Sequence, residues 1–403
     1  MFDSHLRDLS GRAPALAALL DAPEERQREA GYYHTLREIA QQPFTWLATA
    51  AAAVRHHDAL AEALRGVRSV AFTGSGSSLY AGECLALALQ RALRVPVAAI
   101  GGGEILTDGG KRLPPERPCL VVSLARSGNS PESCAAVDLL LEGEPACRHL
   151  AITCNAQGRL ATSYRDEPRF TSLVLDDRTN DRSLVMTSSF TNMVIAGRFL
   201  AMLDRPEEYL AAVERLAGAA REIPARHSDA LAAAAATKFP SAVYLASWVR
   251  FGAAREAALK VLEMTGGNVH TFPETYLGLR HGPMSSVHGD TAAVCFLSAD
   301  KLARAYELDL IGELNRKRIA AFKIIAGERI PADLLRTGDI AIEYPEGLSD
   351  EDTPVLDVLV GQLFAFFRCR AEGFQPDAPS ASGVITRVVE PFRIHRAETE
   401  ASL

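Results

Sequence analysis

From Val67 onward the chain alternates short apolar runs with helical stretches, and few architectures accept that pattern. The runs SVAF (69–72), VPVAAI (95–100), CLVVSL (119–124), HLAIT (149–153) and SLVL (172–175) are strand-like, with helical segments such as LYAGECLALALQRAL between them. Strands separated by helices pair in parallel, because each crossover helix returns the chain to the same end of the sheet. The pattern then restarts with SAVYLAS (241–247), TAAVCFLS (291–298), FKIIA (322–326) and DIAIEY (339–344). Between the halves, 205–240 is alanine-rich and helical, with Pro224 and Pro240 read as breaks. The expected fold is therefore α/β, with two doubly wound parallel sheets, the second repeating the first. A chain of 403 residues suits two cores, since single cores rarely grow past ~250–300 residues. The expected divisions are a helical arm at 1–55, a first unit at 56–222, a second at 223–375 and a tail at 376–403.

Composition removes several functions. Lys and Arg number 43 against 50 Asp and Glu, a net charge of −7, and no basic run stands out, so neither nucleic acid nor anionic membrane is expected as a partner. No apolar run approaches a membrane span, and MFDSHLRDLS lacks a signal-peptide core, which points to the cytoplasm. The seven cysteines (84, 119, 134, 147, 154, 295, 369) include no C-x-x-C pair and read as reduced, buried thiols. His270, His281 and His288 match no metal-ligand spacing, so no metal and no other cofactor is expected.

Two loops carry a chemical signal. Thr73-Gly74-Ser75-Gly76-Ser77-Ser78 follows the first strand, and Ser123-Leu124-Ala125-Arg126-Ser127-Gly128-Asn129-Ser130-Pro131-Glu132-Ser133 leaves the third. At the carboxyl end of a parallel strand such turns offer backbone N–H groups, a helix N-terminus and hydroxyls, which together cradle phosphate. Serine, asparagine and glycine are also ordinary caps and turn formers. Two such loops together favour the cradle, and the absence of a Walker lysine or a third glycine favours a small phosphorylated metabolite over a nucleotide. Thr187-Ser188-Ser189, after Asp181-Arg182, is a third hydroxyl cluster placed to close over the same site.

In Phe251–Pro283 (FGAAREAALKVLEMTGGNVHTFPETYLGLRHGP) the charges sit unusually. Glu256, Lys260 and Glu263 fall within roughly 60° of one another on a helical wheel, and alanine, leucine and valine cover most of the remainder. This reads as a buried helix with one charged stripe, which must face a partner or a cavity. The alternative is an ordinary i,i+4 ion-pair lattice on a solvated face. His281-Gly282-Pro283 follows, placing an imidazole on a sharp turn, where a capping histidine is the plain alternative.

These residues resemble a known family, the double sugar isomerase (SIS) domain proteins, and within it the tagatose-6-phosphate ketose/aldose isomerase group, also described as galactosamine-6-phosphate deaminases. The resemblance rests on REIAQQP (37–43), TGSGSS (73–78), ARSGNSPES (125–133), ITCN (152–155), DRSLVMTSS (181–189), GAAREAALKVLE (252–263), RHGP (280–283) and PDAPSASGVITRVV (376–389), in this order along almost the whole chain. It implies flavodoxin-like SIS domains. By similarity to the isomerase half of glucosamine-6-phosphate synthase, it implies that Ser77, Ser78, Ser127 and Ser130 hold a sugar phosphate, with Arg126 and Thr187 beside it. Glu263 would be the base moving a proton between C1 and C2, with Glu256 and Lys260 lining the cavity. His281 would open the sugar ring from the neighbouring subunit of a homodimer with shared sites.

The chain departs from the synthase in having no N-terminal nucleophilic cysteine and no tail lysine, Lys323 being the last. Bulky residues at Ser247-Trp248-Val249-Arg250 stand where the family commonly has glycine and serine, and are expected to reshape the pocket near C2. The implied function is deaminating isomerisation of a hexosamine 6-phosphate, galactosamine 6-phosphate first and glucosamine 6-phosphate second. The alternatives are an aldose–ketose isomerase without deamination and a non-catalytic sugar-phosphate sensor; no helix-turn-helix segment accompanies the chain to support the latter.

Overall fold

The structure is a computed structural model describing residues 2–380 and 382–395; Met1, Ala381 and residues 396–403, the last two within the expected tail, lie outside the described residues. Six helices between Phe2 and Leu64 precede the first sheet. That sheet contains β1 (Ser69–Gly74), β2 (Val97–Gly101), β3 (Cys119–Ala125), β4 (Cys147–Thr153) and β5 (Phe170–Val174) in the order β2-β1-β3-β4-β5. The second contains β6 (Ser241–Leu245), β7 (His270–Glu274), β8 (Thr291–Phe296), β9 (Phe322–Gly327) and β10 (Ile340–Glu343) in the order β10-β9-β8-β6-β7. Every pairing is parallel. Counted from its own first strand, each unit reads 2-1-3-4-5, the flavodoxin-like order, so the second half repeats the first. β1, β3, β8 and β9 are buried along their whole length, as strands covered by helices on both faces must be. Because β1 and β3 are neighbours, the loops leaving their carboxyl ends lie side by side.

Two elements differ from the sequence reading. β7 lies in a stretch to which the sequence reading gives no element; it contains Pro273, which cannot donate to a ladder and so argues against a strand. The strand forms because it is an edge, bonded only to β6, with Tyr244 opposite Pro273. Pro224 does not break its helix, which runs unbroken from Pro206 to Ala236. Proline removes one N–H and crowds the preceding turn, yet Ala217, Ala220, Ile223, Pro224 and Ala225 are all buried, and tertiary packing holds the helix through the defect. All seven cysteines are buried thiols. Among the described residues no helix is long and apolar enough to cross a membrane.

The charged helix (Phe251–Met264) packs between the Ser77–Leu93 helix of the first unit and the Pro354–Ala371 helix. Ala253, Ala254, Ala257, Ala258, Val261 and Met264 are buried, and the four alanines allow close approach. Gly252 marks the tightest seat against the first unit: a Cβ there would stand 2.7 Å from Tyr80 O, 2.8 Å from Cys84 Sγ and 2.9 Å from Cys84 N. Just before the helix, buried Arg250 donates to Asp357 Oδ1 and Oδ2 at 2.6 and 2.8 Å and ties the helix start to the Pro354–Ala371 helix. Gly252→Ala therefore forces two helices apart. We expect it to cost roughly 1–3 kcal/mol, as overpacking does, read as a lowered Tm in a thermal melt, whereas an alanine at the uncrowded Gly218 leaves Tm unchanged or raises it.

Candidate active site

The two serine loops are shaped by glycines that take backbone conformations other residues adopt only rarely. Gly76 has φ 55° and Gly128 φ 63°, left-handed values that turn each strand end sharply into the helix behind it. The first turn leads into Ser77–Leu93 and the second into Pro131–Gly143, with Pro131 at the helix start where its missing N–H costs nothing. Asn155, from the ITCN motif, donates to the carbonyl of Ser127 at 2.8 Å, and Asn129 N–H donates to Ser127 Oγ at 3.2 Å. Ser130 Oγ donates to Ser133 Oγ at 2.7 Å.

The loops line one cavity of ≈ 270 Å3. Ser75, Ser77, Ser78, Ser127, Ser130 and Ser133 form one side, with Lys260 and Glu263 facing them. Leu184–Met186 and the tail segment Ile385–Val389 cover it. Lys260 Nζ donates to Ser77 Oγ at 3.2 Å and stands 3.1 Å from Glu256 Oε1 and 2.8 Å from Glu263 Oε2. Both contacts are ion pairs. Glu256 and Lys260 are fully buried, whereas the Glu263 side chain keeps 27% of its exposure. Glu263 is thus the carboxylate that a bound molecule reaches, and Glu256 lies beneath it.

One ammonium faces two carboxylates, so the cluster carries surplus negative charge. Burial, reinforced by Glu263 and opposed by Lys260, pushes Glu256 up to about 7. Burial alone would lower Lys260, but Glu256 and Glu263 outweigh it and hold the ammonium above its ordinary value. Lys260 therefore keeps its proton, and Glu256 is the group that takes one up near neutrality.

The other residues singled out in the sequence fall differently. Thr187 does not line the cavity: its N–H and hydroxyl donate to Asp181 at 2.7 and 3.1 Å. Ser188 N–H and the N–H and hydroxyl of Ser189 reach the same carboxylate, so Asp181 caps the Ser188–Phe199 helix and the hydroxyl cluster does not close over the site. The physical reason is that a helix N-terminus must satisfy its free N–H groups, and Asp181 is the acceptor at hand. Arg126 borders the cavity, but its guanidinium donates to the carbonyls of Ser183, Leu184 and Arg387. Trp248 takes φ 54°, a strained value for a side-chain-bearing residue, and is 49% exposed outside the cavity lining, so it does not shape this pocket. His281 is exposed in a separate depression with Arg280, Gly282, Met284 and Lys317, and within one chain it does not join Glu263. Sequence reasoning assigned no role to Ser75 and Ser133, although both sit inside the quoted motifs. Nor did it place the tail over the cavity, since an irregular segment has no periodicity to read.

No protein-family model matches the chain. A candidate D-galactosamine-6-phosphate deaminase AgaS of Streptomyces coelicolor is 38% identical over 373 residues, 90% of this chain and 95% of that protein. D-galactosamine-6-phosphate deaminase AgaS of Escherichia coli O157:H7 is 33% identical over 369 residues, again 90% and 95%. Among solved structures, tagatose-6-phosphate ketose/aldose isomerase from Escherichia coli superposes with a TM-score of 0.81 at 31% identity, covering 91% of this chain and 97% of that one.

The cluster has a consequence for stability. Folded Glu256 binds its proton more tightly than an unfolded glutamate near 4.5, so between that value and about 7 the folded state holds more protons and loses stability as pH rises. Glu256→Gln removes this contribution. A Tm series from about pH 5 to pH 8 should fall less steeply for the variant than for the parent; parallel curves would place the proton elsewhere.

Proposed function

The chain belongs to the D-galactosamine-6-phosphate deaminase (AgaS) family of double-SIS-domain proteins, and from that membership we propose that it converts a hexosamine 6-phosphate, galactosamine 6-phosphate first, to the ketose 6-phosphate and ammonia. The observation that carries this reading is that Lys260 touches both Glu263 and Ser77, which joins the open carboxylate and the serine cradle in one cavity. The serine hydroxyls and loop N–H groups hold the phosphate, and its binding energy fixes the sugar chain relative to Glu263.

In the open-chain sugar, Glu263 removes the C2 proton and C1 oxygen gains one, giving an enolamine. Returning the proton to C1 leaves a C2 iminium; water adds there, and ammonia departs to leave the ketone. His281 of a second copy would handle the ring oxygen, and we take the protein to act as a cytoplasmic homodimer. Support for the histidine's role is its exposure on a turn apart from the Glu263 cavity of its own chain.

A second reading, isomerisation without loss of ammonia, is favoured by the isomerase name of the Escherichia coli structure. Purified protein incubated with galactosamine 6-phosphate and glucosamine 6-phosphate separates the two: the proposal requires stoichiometric ammonia and ketose from at least one. Isomerised product with no ammonia would select the second reading. Glu263→Gln should lower kcat by about 10²–10⁴-fold, the range for loss of a general base, with KM little changed; retained turnover would remove Glu263 from the base's role.

A further inference from the structure

We infer that Arg126 is a latch holding the C-terminal strap over the cavity, with Arg387 as its counterpart on the strap, and that neither guanidinium serves as a ligand for the substrate phosphate. Three motifs without a chemical role, REIAQQP, DRSLVMTSS and PDAPSASGVITRVV, meet around this pair. Glu38 accepts from the N–H groups of Arg182 and Ser183 at 2.5 and 3.2 Å and from the Ser183 hydroxyl. Gln41 Nε2 donates to Arg178 O at 2.7 Å and Ser188 Oγ at 2.9 Å. These bonds fasten the loop that covers the cavity to the N-terminal helices.

The root of the tail is pinned at Asp377, whose carboxylate accepts from Thr35 N–H and Oγ1, both at 2.7 Å, and whose carbonyl accepts from Leu184 N–H at 2.9 Å. Beyond Ser382 the described tail has no helix or strand. Its bonds to the body across the cavity come from two guanidinium groups. Arg387 Nε donates to Asp181 O at 2.7 Å and Nη2 to Asn180 Oδ1 at 2.6 Å, while Arg126 Nη2 donates to Arg387 O at 2.7 Å. Arg126 Nη1 meanwhile grips the carbonyls of Ser183 and Leu184 at 3.2 and 2.9 Å. Buried Arg126 thus joins the loop to the strap, and the strap's own arginine reaches back to the same loop.

Ile385, Val388 and Val389 are 43%, 38% and 48% exposed, so the segment's apolar burial is only partial. A segment held by a few hydrogen bonds opens locally at small cost, and an opening here uncovers the cavity. A guanidinium presents a planar fork able to serve several carbonyls at once, which a lysine ammonium on its flexible stem does not reproduce.

The effect on kinetics rests on the activity proposed above; the attachment does not. The test compares Arg126→Lys, which keeps the charge, with Arg387→Met, which removes the strap's own guanidinium and its bonds to Asn180 and Asp181. Amide exchange in a peptide spanning 382–395 should quicken at least about tenfold in both variants, the loss expected of a local hydrogen-bonded attachment. Affinity for inorganic phosphate, measured by calorimetry, should stay within about twofold of the parent, while KM for the hexosamine 6-phosphate rises more than kcat falls. Unchanged tail exchange in either variant would overturn the inference. So would a loss of phosphate affinity in Arg126→Lys that matches the rise in KM, since that marks a phosphate ligand. Exchange and phosphate binding decide the matter even if no turnover is found, so failure of the latch and failure of the activity are separable.

Discussion

Lys260 is buried with its ammonium between Glu256 and Glu263, and much of the surrounding packing follows from enclosing that cluster. Removing ions from water costs several kcal/mol each even after relaxation, so the cluster persists only with close opposite charges and with the rest of the helix sealed. The seal is made by two helices: Ser77–Leu93, seated at Gly252, and Pro354–Ala371, seated where Gly361 meets Ala257. The first of these begins in a serine loop. The packing that buries the lysine therefore also brings Ser77 to its ammonium.

The charge balance of the site follows from the same arrangement. A chain with a net charge of −7 has no general attraction for anions, so a phosphate must be held locally. In the proposed reaction the cradle would do this with neutral hydroxyls, loop N–H groups and helix ends, with Lys260 beside them. That cation is already opposed by two carboxylates, which leaves Glu263 beside the cavity and Glu256 raised beneath it. A single side chain, Lys260, separates the serine loops from Glu263, a spacing that would suit the proposed chemistry on a small phosphorylated sugar.

Much of this was legible in advance because it depends on local regularities. Nine of the ten strands lie in runs recognisable as apolar segments, and the shared order of the two sheets matches the repeat in their spacing. The serine loops, Lys260 and Glu263 were visible as residue types at meaningful spacings. The failures are equally specific. Pro273 hid an edge strand, and Pro224 suggested a break that buried packing overrides. Thr187 offered a hydroxyl that Asp181 had already taken, and Trp248 was bulky in a place where it turns to solvent.

Sequence alone determined the α/β repeat, the two glycine- and serine-rich turns and the charged stripe on the Phe251–Met264 helix, because periodicity, turn chemistry and helical spacing act over a few residues. Tertiary structure decided which of those groups face one another. Only folding could set Glu263 at the cavity with Glu256 below it, give Thr187 to a helix cap, and carry an irregular tail back to Arg126. Those outcomes depend on competition for hydrogen bonds and burial between residues far apart in the chain, and local pattern carries no record of who wins that competition.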